Sequence, residues 1–172
     1  MSQERTGVAA FKGSPLTLIG PQLNVGDQAP DFKLNKSLGE IVSLEDFGGK
    51  VKLISVIPSI DTGVCEAQTR RFNEEATKLG DNVAILTVSA DLPFAQARWC
   101  GAEGINDVIL LSDYRDNNFG IAYGVFIKEF AIDMRSIFVL DQNNVIQYVE
   151  YVSEMSSHPD YEAALAAAKQ LT

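Results

Sequence analysis

Metal-ligating and nucleic-acid-binding side chains are scarce in this chain of 172 residues. It has one histidine, His158, and two cysteines, Cys65 and Cys100. A structural zinc site of Cys and His ligands cannot be completed from that set, and the sequence implies no metal and no cofactor. Lys and Arg total 14 against 23 Asp and Glu, giving a formal net charge of −9. The basic patches called for by nucleic acid and anionic membrane surfaces are therefore missing. No apolar run approaches the ~18 residues of a membrane span. Residues Met1 to Thr6 show no basic cluster leading into a long apolar stretch. A cytoplasmic protein without a signal peptide is the expectation. In that compartment a permanent disulfide is disfavoured. No Cys-x-x-Cys pair is present, which leaves two free thiols or a transient disulfide between separate elements.

What is present alternates between strand-like and helix-like patterns. Val8–Phe11 and Leu16–Ile19 bracket Lys12-Gly13-Ser14-Pro15 and predict an N-terminal β-hairpin. Short strands are expected at Phe32–Leu34 and Ile41–Leu44. Buried strands are expected at Val51–Ile57, Val83–Val88 and Val108–Leu111. Helices are expected at Glu66–Leu79, from Asp91 to a stop at Gly101, at Asn117–Tyr123 and at Asp160–Leu171. Ser136–Leu140 and Val145–Val149 predict a second hairpin. With no repeat and no low-complexity linker, the reading is a single α/β domain over residues 1–172, with a parallel centre and an antiparallel edge.

The chemistry concentrates between the first buried strand and the first long helix, at Pro58-Ser59-Ile60-Asp61-Thr62-Gly63-Val64-Cys65. Thr62 is a good N-cap residue, which makes Cys65 the third residue of the helix. An anionic sulfur there faces unpaired backbone N–H groups and the positive end of the helix dipole. The thiolate is the nucleophilic form of cysteine. In open α/β sheets, active sites lie at the carboxyl ends of strands, and this segment occupies such a place. Plainer readings exist for each residue. Thr62 serves fully as a cap alone, Pro58 could simply end a strand, and Cys100 could be a buried helix residue before a terminal glycine. Arg135 by itself reads as a surface ion-pair partner, and His158 as a solvated residue.

Pro58-x-x-x-Thr62-x-x-Cys65 resembles the peroxiredoxin active-site pattern, and the longer string resembles the thiol peroxidase branch, the atypical two-cysteine peroxiredoxins. Further matching strings are Ser89 to Gln96, Arg98 to Gly104, Ala122 to Val125 and Pro159 to Leu165, so the resemblance spans nearly the whole chain. It implies a thioredoxin-like three-layer fold with a central mixed sheet and an added N-terminal β-hairpin. It further implies a peroxidase acting on hydrogen peroxide and organic hydroperoxides. Cys65 would be the nucleophile that becomes a sulfenic acid, and Cys100 the resolving thiol that closes an intramolecular disulfide. Thr62 and Arg135 would organise the peroxide, and Pro58 would shield the thiol. Thioredoxin or a similar dithiol would be the reductant, and the assembly a homodimer. Ile127 to Asp133 is shorter than the glycine-containing loop expected before the arginine, so one wall of the pocket is expected to differ. A thiol–disulfide oxidoreductase and a non-enzymatic redox sensor are the competing readings of the same cysteines.

Overall fold

The computed structural model describes residues 2–172. A seven-stranded mixed sheet forms the middle layer. It uses β3 (Leu34–Asn35), β4 (Ile41–Val42), β5 (Val51–Val56), β6 (Val83–Ser89), β7 (Ile109–Ser112), β10 (Ser136–Leu140) and β11 (Ile146–Tyr151) in the order β11-β10-β5-β6-β7-β3-β4. The pairs β5–β6 and β6–β7 are parallel, and β10 runs antiparallel to both β5 and β11. A smaller sheet joins the N-terminal hairpin, β1 (Glu4–Phe11) and β2 (Ser14–Ile19), to a second hairpin of β8 (Phe126–Ile127) and β9 (Ile132–Asp133).

Alternation along the buried strands separates two cores, because successive side chains point to opposite faces. Leu53, Ile85, Ile137 and Val139 face one side, where they meet α1 (Gly63–Leu79), α2 (Pro93–Glu103) and α4 (Tyr161–Lys169) through Phe72, Trp99 and Leu165. Ile54, Leu86, Phe138 and Leu140 face the other, packing with Leu16 and Leu18 of the hairpin and with Phe119 of α3 (Asn118–Ala122). The three-layer arrangement expected from the sequence is therefore present.

Several boundaries differ from expectation. The hairpin's first strand starts earlier, at Glu4, and a bulge between Thr6 and Ala9 interrupts its register. Phe32 lies outside any strand, and Leu44 opens a short 3₁₀ turn instead. Helix α2 continues through Gly101 to Glu103. Gly104 is the residue that takes the left-handed conformation (φ 67°), and its N–H donates to the Cys100 carbonyl. Glycine favours the left-handed cap, but only one that adopts it ends the helix.

Candidate active site

The topology brings four distant segments to one edge of the sheet. Because β5 and β6 are parallel, with Val56 opposite Val88, both end on the same side. Because β10 is antiparallel to β5, with Ser136 opposite Val56, Arg135 enters at that same edge. Ser136 also sits opposite Tyr151, so the chain leaving β11 arrives there too.

The segment before α1 is held from β6. Asp91 accepts hydrogen bonds from Ser59 Oγ (2.8 Å), the Ile60 N–H (2.7 Å) and Ser89 Oγ (2.6 Å). Pro58 is buried. Thr62 is the N-cap, but its hydroxyl makes no cap bond. It donates instead to the Ser59 carbonyl (3.3 Å), and the residue is exposed. Cys65 is the third helical residue, as the motif predicts, and is completely buried. Its carbonyl accepts the Thr69 hydroxyl (2.9 Å).

Arg135 corrects one plain reading of the sequence. It is 2% exposed and has no carboxylate within ion-pair distance among the described residues. Its Nη2 donates to Cys65 Sγ at 3.4 Å, and its Nη1 to Gln68 Oε1 at 2.7 Å. Nε and Nη2 both donate to the Met155 carbonyl, at 3.2 and 3.0 Å. Burying a cation costs several kcal/mol unless hydrogen bonds or an opposite charge compensate. Here neutral oxygens supply the hydrogen bonds, and an anionic Cys65 sulfur would supply the charge. Gln68 is itself aligned by donating to Ser55 Oγ (2.7 Å).

Gln68, Ser55, Asp91 and the Met155 carbonyl were not singled out from the sequence. Gln68 carries a usable signal, since residues three apart share a helix face and it sits three after Cys65. Ser55 is a polar residue inside an apolar strand. A backbone carbonyl such as that of Met155 leaves no mark in a sequence.

Cys100 is not bonded to Cys65; both thiols are free. It is half-buried on α2, and burial pushes its thiol above the usual cysteine range. It lines a cavity of about 340 Å³ with Pro93, Gln96 and Ala97. Other residues of α2 contact α1 and the segment before it. Trp99 Nε1 donates to Glu66 (3.3 Å), Arg70 pairs with Glu103 (2.6 Å) and lies 5.6 Å from the Trp99 ring centroid, and Arg98 pairs with Asp61 (3.4 Å). His158, read as a solvated residue, is exposed and contacts the Tyr161 hydroxyl (2.7 Å). Phe130 meets Phe11 edge-on with centroids 6.1 Å apart, so this ring joins the two hairpins.

The model of the Redoxin family matches residues 24–165. The chain is 63% identical over 161 residues to a thiol peroxidase of Bacillus subtilis, covering 94% of this chain and 96% of that one. It belongs to the thiol peroxidase branch of the Redoxin family. A thiol peroxidase of Streptococcus pneumoniae is 55% identical, over 95% of this chain and all of its own. Among solved structures, a peroxiredoxin-like protein from Aquifex aeolicus superimposes with a TM-score of 0.88 at 35% identity, covering 99% of both chains. In this redoxin, as in the resemblance read from its strings, the matched region includes the whole Pro58–Cys65 segment, Cys100 and Arg135. No helix of the described residues is long and apolar enough to cross a membrane.

Proposed function

We propose that this thiol peroxidase reduces hydrogen peroxide and organic hydroperoxides with Cys65 as nucleophile and Cys100 as resolving thiol. The observation that carries the reading is the buried guanidinium of Arg135 placed on Cys65 Sγ without an acidic partner. The Cys65 thiolate attacks the terminal peroxide oxygen, an S–O bond forms as the O–O bond breaks, and the departing alkoxide or hydroxide takes a proton. Arg135 meets the charge that develops on the peroxide oxygens. Thr62, at the rim, contributes its hydroxyl to the bound peroxide after leaving the Ser59 carbonyl, and Pro58 keeps water from the sulfur.

The Cys100 thiolate then attacks the sulfenic sulfur, a disulfide forms and water departs. A disulfide requires Cα atoms within ~7 Å of one another, and each cysteine here is set within a formed helix. Closure therefore unwinds the first turn of α1 or the last turn of α2 and opens the Glu66–Trp99 and Arg70–Glu103 contacts. Thioredoxin or a similar dithiol returns the enzyme to the reduced state, and the working assembly is a cytoplasmic homodimer; the family resemblance supports these points.

The test is intact mass under non-reducing conditions after one equivalent of cumene hydroperoxide. The expected result is a rapid loss of about 2 Da that maps to a Cys65–Cys100 peptide. No change over minutes would overturn the reading.

A further inference from the structure

Arg135 is aimed by two fixed points, Gln68 and the Met155 carbonyl. The first belongs to α1, the helix that carries Cys65. The second belongs to the connector after β11, and it is set by the N-terminal hairpin. The loop of that hairpin is Lys12-Gly13, both with positive φ (50° and 79°), between paired residues Phe11 and Ser14. This two-residue turn geometry leaves N–H groups pointing outward. The Glu154 carboxylate gathers them: Oε1 accepts the Lys12 N–H (3.0 Å) and Oε2 the Gly13 N–H (3.3 Å). Ser156 adds its hydroxyl (2.9 Å) and N–H (3.3 Å) to Oε1. Backbone bonds on either side complete the clasp, from Ala10 N–H to the Ser153 carbonyl (2.8 Å) and from Met155 N–H to the Ala10 carbonyl (2.9 Å). The Glu154 carbonyl accepts the Ser157 N–H (2.9 Å), and the carbonyl after it is that of Met155, which holds Arg135.

We infer that Glu154 is a positioning residue for the peroxidase reaction, fastening the hairpin turn to the connector so that the Met155 carbonyl orients Arg135 toward Cys65. The inference rests on the peroxidase reading above. It gives the added hairpin a catalytic consequence although no hairpin residue touches the sulfur. The Lys12 N–H, foremost among the donors around it, pulls the Glu154 carboxyl down to about 2, so it is charged under physiological conditions.

A double-mutant cycle with Arg135→Met separates positioning from general stability. Glu154→Ala is expected to slow the reaction of reduced enzyme with peroxide about tenfold, a fraction of what losing a whole charge-stabilising donor costs. In the Arg135→Met background the same substitution is expected to change the rate by less than about twofold, because the side chain it orients is gone. Equal effects in both backgrounds, or no effect in the native one, would overturn the inference. If Glu154→Ala lacks a native circular dichroism spectrum, the isosteric Glu154→Gln takes its place, with an expected loss of about threefold only when Arg135 is present. Alkylation of Cys65 by iodoacetamide is followed in the same proteins. Wild-type enzyme inert to peroxide would sink the peroxidase reading, while the alkylation rates would still decide whether Glu154 acts through Arg135.

Discussion

Replacing Arg135 by methionine removes the guanidinium that donates to the Cys65 sulfur while keeping an unbranched side chain in the same space. The substitution deletes the 3.4 Å contact to Sγ and the bonds to Gln68 and Met155. Loss of one preorganised donor to developing negative charge typically costs about 2.7–4 kcal/mol, a factor of roughly 100 to 1,000 in rate. The peroxide step is expected to slow by that factor. Stability is expected to move much less, because two effects oppose each other. Leaving the Gln68 and Met155 oxygens unpartnered costs about 1–3 kcal/mol each. Removing a buried cation returns a desolvation penalty of several kcal/mol. Trp99 is the only tryptophan and sits beside Cys100, so stopped-flow fluorescence can follow oxidation directly. A variant that keeps its fold and reacts within about fivefold of wild type would refute the assignment of Arg135 to the charge-stabilising role.

Cys100→Ser is expected to react with peroxide but stop at a persistent gain of about 16 Da on Cys65; a normal cycle in that variant would remove Cys100 from the mechanism. Disulfide closure is expected to change Trp99 fluorescence and to raise amide exchange in the first turn of α1 or the last turn of α2, and equal protection of both turns in the two redox states would contradict the proposed unwinding. Asp133 is fully buried with neither carboxylate oxygen bonded, and burial holds it well above the usual carboxylate range; burial also pushes Asp113 up to about 6. Raised folded values mean the stabilised form is the protonated one, so stability is expected to fall as pH rises from about 4 through about 6. Asp133→Asn should flatten that decline and raise stability near neutral pH by about 1–3 kcal/mol, as read by chemical denaturation. For Glu154 the sign is opposite: its lowered value means its contribution to stability is complete above the ordinary 4.5 and is lost as pH falls toward 2. The Lys12 and Gly13 amide resonances should titrate near the folded value of about 2, and their failure to move there would deny the contact.

The Pro58–Cys65 segment was legible because its meaning is local. A strand, a sharp entry and a helix start are all set by residues within a few positions, and they determine that Cys65 is the third helical residue. The buried strands and long helices were legible for the same reason, through their periods of two and 3.6. Boundaries governed by backbone conformation were less so: Gly101 and Gly104 look alike in sequence, and only the one with positive φ ends α2. The sequence by itself thus determined the family, the layered fold and the place of Cys65 at a helix start. The family resemblance named Arg135, but tertiary structure alone decided how it meets that cysteine and what anchors it. Arg135 reaches Cys65 across 70 positions because β10 runs antiparallel to β5. Gln68 and the Met155 carbonyl become its anchors because the helix face and the connector happen to converge there, and Glu154 grips a turn 142 positions away. Such pairings depend on sheet order and register, and a backbone carbonyl is the same atom in every residue type, so no spacing along the chain records them.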